Sequence, residues 1–359
     1  MRTRILFAIL ASVVIAGCSG AGSSLTNPSG SNPGGSTQSV SKQDVAQGAT
    51  EAAFDPIEAG TLDAGLFNGN MGVTLTAAAA PQSTGTCKNG VEHTVTVISS
   101  NQTQYETKYF YDKACAELAR DVVSLVTLNS SSSETVVRTA KNYNLSGTLL
   151  STRDTNFNIT GSPGNFSAVV TSDVFIGTST SPTIMFGRQF TVAPQSSTVY
   201  TLAANSGRVV NNANLNHSYG HMGVLSNGTI TLDSSGDVTF AGSHAGTFIR
   251  GPMGALTLSS APPFTVSGGT ALGTTNLSGS VEFDANCDIV SVNVNGTLWN
   301  GDSIVVTSSG TPPTVAINGQ ITDPSNNPVA TFTVDQYGDG VITYADGSQG
   351  LIVDWHLVR

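Results

Sequence analysis

The residues best placed to do chemistry in this chain are aspartates that recur in pairs. "TLDSSGDVTF" carries Asp233 and Asp237, "EFDANCDIVSV" carries Asp284 and Asp288, and "TVDQYGDGVIT" carries Asp335 and Asp339. Each has the form strand, Asp-x-x-x-Asp, strand, and successive first aspartates lie 51 residues apart both times. Oxygen donors at alternating loop positions suit a hard cation such as calcium, and Asp284, Asn286 and Asp288 offer three in one loop. The middle position is Ser235 in one copy and Tyr337 in another, and no Glu stands at the usual distal position. The favoured reading is therefore turn chemistry, in which a corner Asp accepts hydrogen bonds from its own backbone and Gly takes positive φ. A second metal candidate is "NHSYGH", where His217 and His221, four apart, share one face of a strand, with His244 further on. Without a nearby third ligand, packing or solvent-facing histidines are the expectation. No G-x-S-x-G elbow occurs, and "GSHAG" puts His244 where a nucleophilic serine would stand. Trp299 and Trp355, set in alternating strands, read as sheet-packing core.

The four cysteines divide by context. Cys87 and Cys115 lie 28 residues apart and are the expected disulfide, worth about 3–4 kcal/mol by loop-closure entropy. Cys287 is left odd and reads as a small buried residue. Cys18 ends "RTRILFAILASVVIAGC", where Arg2 and Arg4 precede an apolar run from Ile5 to Ala16. That run falls short of the roughly 20 residues needed to span a bilayer as a helix, so it reads as a removable export segment. The junction Ile15-Ala16-Gly17-Cys18 resembles the lipobox of bacterial lipoproteins. The resemblance covers this segment alone. It implies cleavage before Cys18, diacylglycerol on its thiol and a third acyl chain on its new amine, hence stable attachment to a membrane. Ser19 rather than Asp after the cysteine implies, in a diderm host, sorting to the outer membrane.

Composition limits the partners. Net charge is −10, or −12 once Arg2 and Arg4 are removed, and charged residues make up 11% of the chain. With no Lys/Arg cluster, the counterion release that drives nucleic-acid binding is missing, as is electrostatic attraction to a lipid surface. No cofactor is implied beyond the covalent lipid on Cys18.

Four segments are expected: a signal peptide over 1–17, a lipidated Cys with a flexible Ser/Gly/Pro-rich tether over 18–50, an N-terminal α+β segment over 51–133, and an antiparallel β-domain over 134–359 with a repeat of about 51 residues. The polar stretch after Cys18 buries too little apolar surface to order itself. Within "QYETKYFYD", alternation points Tyr105, Thr107, Tyr109 and Tyr111 to one face. After Asp112, a candidate N-cap, Ala114, Leu118, Val122 and Val126 recur every four residues and predict a short helix over about 112–126. Beyond Glu134 short alternating runs separated by Gly, Asn, Asp, Ser and Pro predict strands throughout. The fold expected is mostly all-β: an antiparallel meander curled into a barrel-like or clam-like body. Low aromatic content and Thr/Ser/Asn-rich strand faces argue against a membrane barrel.

The functional expectation is an envelope-anchored lipoprotein acting as a non-enzymatic binding, adhesion or surface-interaction module, with an envelope or extracellular protein or glycan as its ligand. A periplasm-facing structural or assembly lipoprotein and an envelope polysaccharide or peptidoglycan hydrolase are the alternatives.

Overall fold

The structure, a computed structural model, describes part of residues 42–57, and residues 85–358 except 89, 163–164, 179–180, 211–217, 236, 254–267, 285–287 and 313. Cys18, His217, Asn286 and Cys287 lie outside the described residues, as do the side chains of His221 and His244.

Eighteen strands form one sheet. They are β1 (Val91–Ser99), β2 (Gln102–Phe110), β3 (Leu118–Ser130), β4 (Ser133–Tyr143), β5 (Leu149–Ser162), β6 (Asn165–Thr178), β7 (Ser181–Pro194), β8 (Val199–Val210) and β9 (Ser218–Leu232). They continue with β10 (Val238–Met253), β11 (Gly268–Phe283), β12 (Ile289–Thr297), β13 (Ser303–Ser309), β14 (Ala316–Thr322), β15 (Pro328–Asp335), β16 (Gly340–Tyr344), β17 (Gln349–Val353) and β18 (His356–Val358). Each pairs antiparallel with its neighbours along the chain. No register among the described residues joins β1 to β18, so the meander curls without closing.

Alternation along each strand decides which face turns inward. On β5 and β6 Phe157, Ile159, Phe166, Ala168 and Val170 are buried while Asn156, Asn158, Thr160, Asn165 and Ser167 are exposed. Most buried apolar side chains from β3 to β18 join one large cluster, and Val174, Ile176 and Val353 form a second, small one. Where Gly319 pairs with Phe332 across β14 and β15, the missing Cβ leaves room for the ring, which lies directly over the glycine. Phe332 can then lean inward to meet Phe54, with ring centroids 5.0 Å apart.

Phe54 belongs to the helix α1 (residues 42–57, described in part). Residues 42–50, expected to belong to the flexible tether, are helical where they are described. Val45, Ala46, Ala49, Ala53, Phe54 and Ile57 are buried, and so are Gln47 and Thr50. The small alanines among them let the sheet come close. Gln47 Nε2 donates to the Tyr344 hydroxyl at 3.3 Å, and Phe54 meets Trp355 edge-on at 5.6 Å. Burying Val45, Phe54 and Ile57 contributes about 2 kcal/mol each before entropy is counted.

The helix expected over 112–126 does not form; Leu118–Ser130 is strand β3. Spacing of four is common to both periods, and on β3 the residues facing inward are Arg120, Val122, Ser124 and Val126, two apart. Asp112 does cap backbone donors, but in a loop. Its carboxylate accepts from Ala114 at 2.7 Å, Ala116 at 3.1 Å and Glu117 at 2.8 Å. Cys115, at φ 58°, turns the chain left-handed there and is bonded to Cys87. The disulfide forms as expected.

The boundary expected at 133/134 falls inside the β3–β4 pairing, where Leu128 faces Glu134, and does not divide the sheet. The 51-residue interval is not a repeated unit either. From Asp233 to Asp284 it spans β10 and β11, each of 16 residues; from Asp284 to Asp335 it spans four shorter strands, β12 to β15.

Candidate functional site

The three Asp-x-x-x-Asp segments share one hairpin geometry. The first Asp N–H donates to the carbonyl of the second at 3.1 Å (Asp233), 2.9 Å (Asp284) and 2.9 Å (Asp335). Each first carboxylate then accepts the N–H of the second Asp at 3.0 Å. All three connect an odd-numbered strand to the next, and so occupy equivalent corners of the meander. Asp323–Asn327 and Asn144–Thr148 close in the same way. These oxygens hold backbone, and among the described residues no three His, Cys, Asp or Glu groups converge as a metal set.

Surroundings set the Asp335–Asp339 turn apart. It meets the β17–β18 turn, where Asp354 at φ 48° and Trp355 at φ 68° are consecutive left-handed residues. That conformation favours Asn-Gly and carries strain in an Asp-Trp pair. Four hydrogen bonds hold it. Arg153 Nη2 donates to Asp354 Oδ1 at 2.9 Å and the Ser151 hydroxyl donates to Oδ2 at 2.9 Å. Asp354 N–H donates to Asp339 Oδ1 at 2.8 Å, and Trp355 N–H to the Gly338 carbonyl at 3.0 Å. Asn142 Nδ2 in turn donates to the Ser151 hydroxyl at 3.1 Å. The Arg153 and Asp354 side chains are 3% and 1% exposed, so this ion pair is buried. Trp355 is buried as expected, its indole lying against Gly338 at φ +83°.

Removal from water moves the acids here. Burial pushes Asp335 up to about 6, against the opposing hydrogen bonds from Asp339, Tyr337 and Gly338. Burial, then the charge of Asp335, pushes Asp339 well above the ordinary carboxylate range. Burial, then Asp284, pushes Asp288 up to about 6. The Tyr337 hydroxyl is raised to about 12 by burial.

Beside this turn lies a cavity of about 30 Å³ lined by Tyr109, Arg120, Arg138, Asp288, Ile289, Gln336 and Tyr337. That is room for about two water molecules or one small polar group. Gln336 is 5% exposed and Arg120 6%. Gln336 sits beside Asp288 and Tyr337 and lowers both, yet neither its Oε1 nor its Nε2 makes a hydrogen bond of good geometry, and Arg120 Nε also has no acceptor. Tyr109 and Tyr337 approach at 6.3 Å between centroids, tilted by 59°. A separate buried acid, Glu134, lies inward on β4 with neither oxygen hydrogen-bonded, and burial raises it to about 7.

The structure thus gathers Asp288, Asp335 and Asp339 at one place and leaves the Asp233 turn facing solvent. Sequence reasoning passed over Arg120, Gln336, Arg153 and Asp354. A signal existed for the arginines: Arg120 shares its inward phase with Val122 and Val126, and Arg153 with Phe157 and Ile159. A charge in the apolar phase of a strand marks either a buried pair or a site.

No family model, no curated protein and no solved structure matches this chain.

Proposed function

We propose that the protein is a bacterial lipoprotein, held on the cell envelope by acylated Cys18, whose β-body is a non-enzymatic binding module. The observation that carries this reading is the order of parts: an export segment ending at Cys18, then polar sequence from Ser19, then the buried α1. A Ser/Gly/Pro-rich coil of 23 residues, the number between Cys18 and residue 42, reaches about 25–30 Å, enough to stand a body off a bilayer. Outward Asn, Ser and Thr on β5 and β6 fit a body bathed in water. At the cavity, fixed donors and acceptors suit holding a ligand, because Asp335, Asp339 and Asp354 are already engaged by backbone or by Arg153.

The test is mass spectrometry of the N-terminal fragment together with fractionation of Cys18→Ser. A triacylated Cys18 and release of the variant into the soluble fraction are expected; an unmodified thiol or another start site overturns the anchor. Proteolytic shaving of intact cells separates a surface module, which is removed, from a periplasm-facing structural protein, which is spared. The hydrolase alternative draws on Asp288 at about 6 beside Arg120; it requires turnover of envelope polysaccharide that Asp288→Asn abolishes.

A further inference from the structure

We infer that the cavity between the β15–β16 turn and strands β2 to β4 is a recognition pocket for a neutral saccharide, seating a pair of neighbouring hydroxyls. This deepens the binding-module reading and rests on it. The cavity presents unmet needs of both kinds. Gln336, itself 95% buried, offers an amide N–H pair and a carbonyl oxygen whose approaches to Asp288 and Tyr337 fall short of hydrogen-bond geometry, and Arg120 Nε–H has no acceptor. Leaving such groups dry costs about 1–3 kcal/mol each, so the pocket calls for a guest that donates and accepts at once.

Charge narrows the guest. An anion gains from Arg120 and Arg138 but meets Asp288 in the lining, and Asp335 acts on the same Tyr337. A cation meets the two arginines. A hydroxyl carries no charge, accepts from Arg120 and Gln336, and donates to Gln336 Oε1 or Asp288. The two oxygens of such a pair take the places of the two waters for which the cavity has room. Tyr109 and Tyr337, both half-buried, add an apolar flank against which the C–H face of a sugar ring can rest. Arg120 and Gln336 act as ligand-contacting residues; Asp335 is a positioning residue, because its carboxylate fixes the turn that carries Gln336 and Tyr337.

The experiment is saturation-transfer NMR and calorimetry on the full chain. The probes are glucose, galactose, N-acetylglucosamine and their di- and trisaccharides, with glucuronate and inorganic phosphate as anionic controls. Saturable binding of at least one neutral sugar is expected, weakened about tenfold or more in Gln336→Leu, as for loss of one to two hydrogen bonds. Gln336→Glu, of similar shape, is the second variant, and unchanged thermal unfolding certifies that both fold. Tighter binding of glucuronate or phosphate than of any neutral sugar overturns the assignment. So does silence across the whole panel by a folded protein, which leaves a pocket for two waters only. The acyl mass on Cys18, read on the same preparation, reports the anchor independently, so failure of one reading is not mistaken for failure of the other.

Discussion

The Asp233–Asp237 and Asp335–Asp339 turns are the same object locally and different objects in the folded protein. Both close with an Asp N–H to Asp carbonyl bond, at 3.1 and 2.9 Å, and both use the first carboxylate to hold the N–H groups two and four residues on. Asp233 faces solvent. Asp335 lies near Arg120 in a turn whose Gly338 packs against Trp355, and burial lifts it to about 6. Turn geometry is written in five residues, whereas the chemistry of their carboxyl groups is set by what folds over them.

The strongest way to break this contrast is to unseat the β17–β18 turn. Arg153→Ala leaves the Asp354 charge buried and unpaired and is expected to cost about 3–5 kcal/mol in urea unfolding. Lys42→Ala, at the exposed pair with Asp323 3.8 Å away, is expected to cost below about 1 kcal/mol. Equal losses would mean that the Arg153 pair is solvated.

Next in size is a glycine comparison. Gly338 and Gly347 hold the same place in their turns, at φ +83° and +82°, but a Cβ on Gly338 would strike Trp355 while one on Gly347 meets nothing within 4 Å. Gly347→Ala should cost about 1–2 kcal/mol for the left-handed backbone alone, and Gly338→Ala about 3–4 kcal/mol as overpacking is added. Thermal melts of the two variants measure the difference.

pH sharpens the contrast further. Asp288 and Asp335 are raised to about 6 and Glu134 to about 7, so the folded state holds protons that the unfolded chain releases near pH 4. Their contribution is fully present below pH 4 and is lost as pH rises through about 7, so stability should be lower at pH 8 than at pH 5, by roughly 5 kcal/mol with all three shifts counted. Exposed Asp323, lowered chiefly by the Asn327 side chain, works in the opposite sense below pH 4. Asp335→Asn keeps the accepting oxygen and should flatten the upper part of the curve; Asp233→Asn should leave it unaltered. The smallest effect expected is Asp233→Ala, about 0.5–1 kcal/mol for two solvent-exposed capping bonds.

Much of the architecture was legible because it depends on alternation over a few residues. Tyr105, Thr107 and Tyr109 do share a face of β2: Tyr105 packs on the core, Thr107 is buried, and Tyr109 lines the cavity. Two elements misled for physical reasons. Val122 and Val126 fit a strand as well as a helix, since four is a multiple of two. Conversely, α1 went unread, because its few apolar residues, Val45, Phe54 and Ile57 among alanines, adjoin a Ser/Gly-rich stretch and only the sheet around them shows that they are buried.

The sequence by itself determined the β class, the hairpin corners at Asp233, Asp284 and Asp335, and the Cys87–Cys115 bridge. These follow from contacts between near neighbours or from the pairing of two cysteines. Only the tertiary structure decided that α1 fills the interior, that Arg153 and Asp354 meet across 201 positions, and that Gln336 faces a cavity beside Arg120. Such meetings depend on how a long sheet curls, and curling is the sum of small twists along every strand, which no local stretch encodes alone.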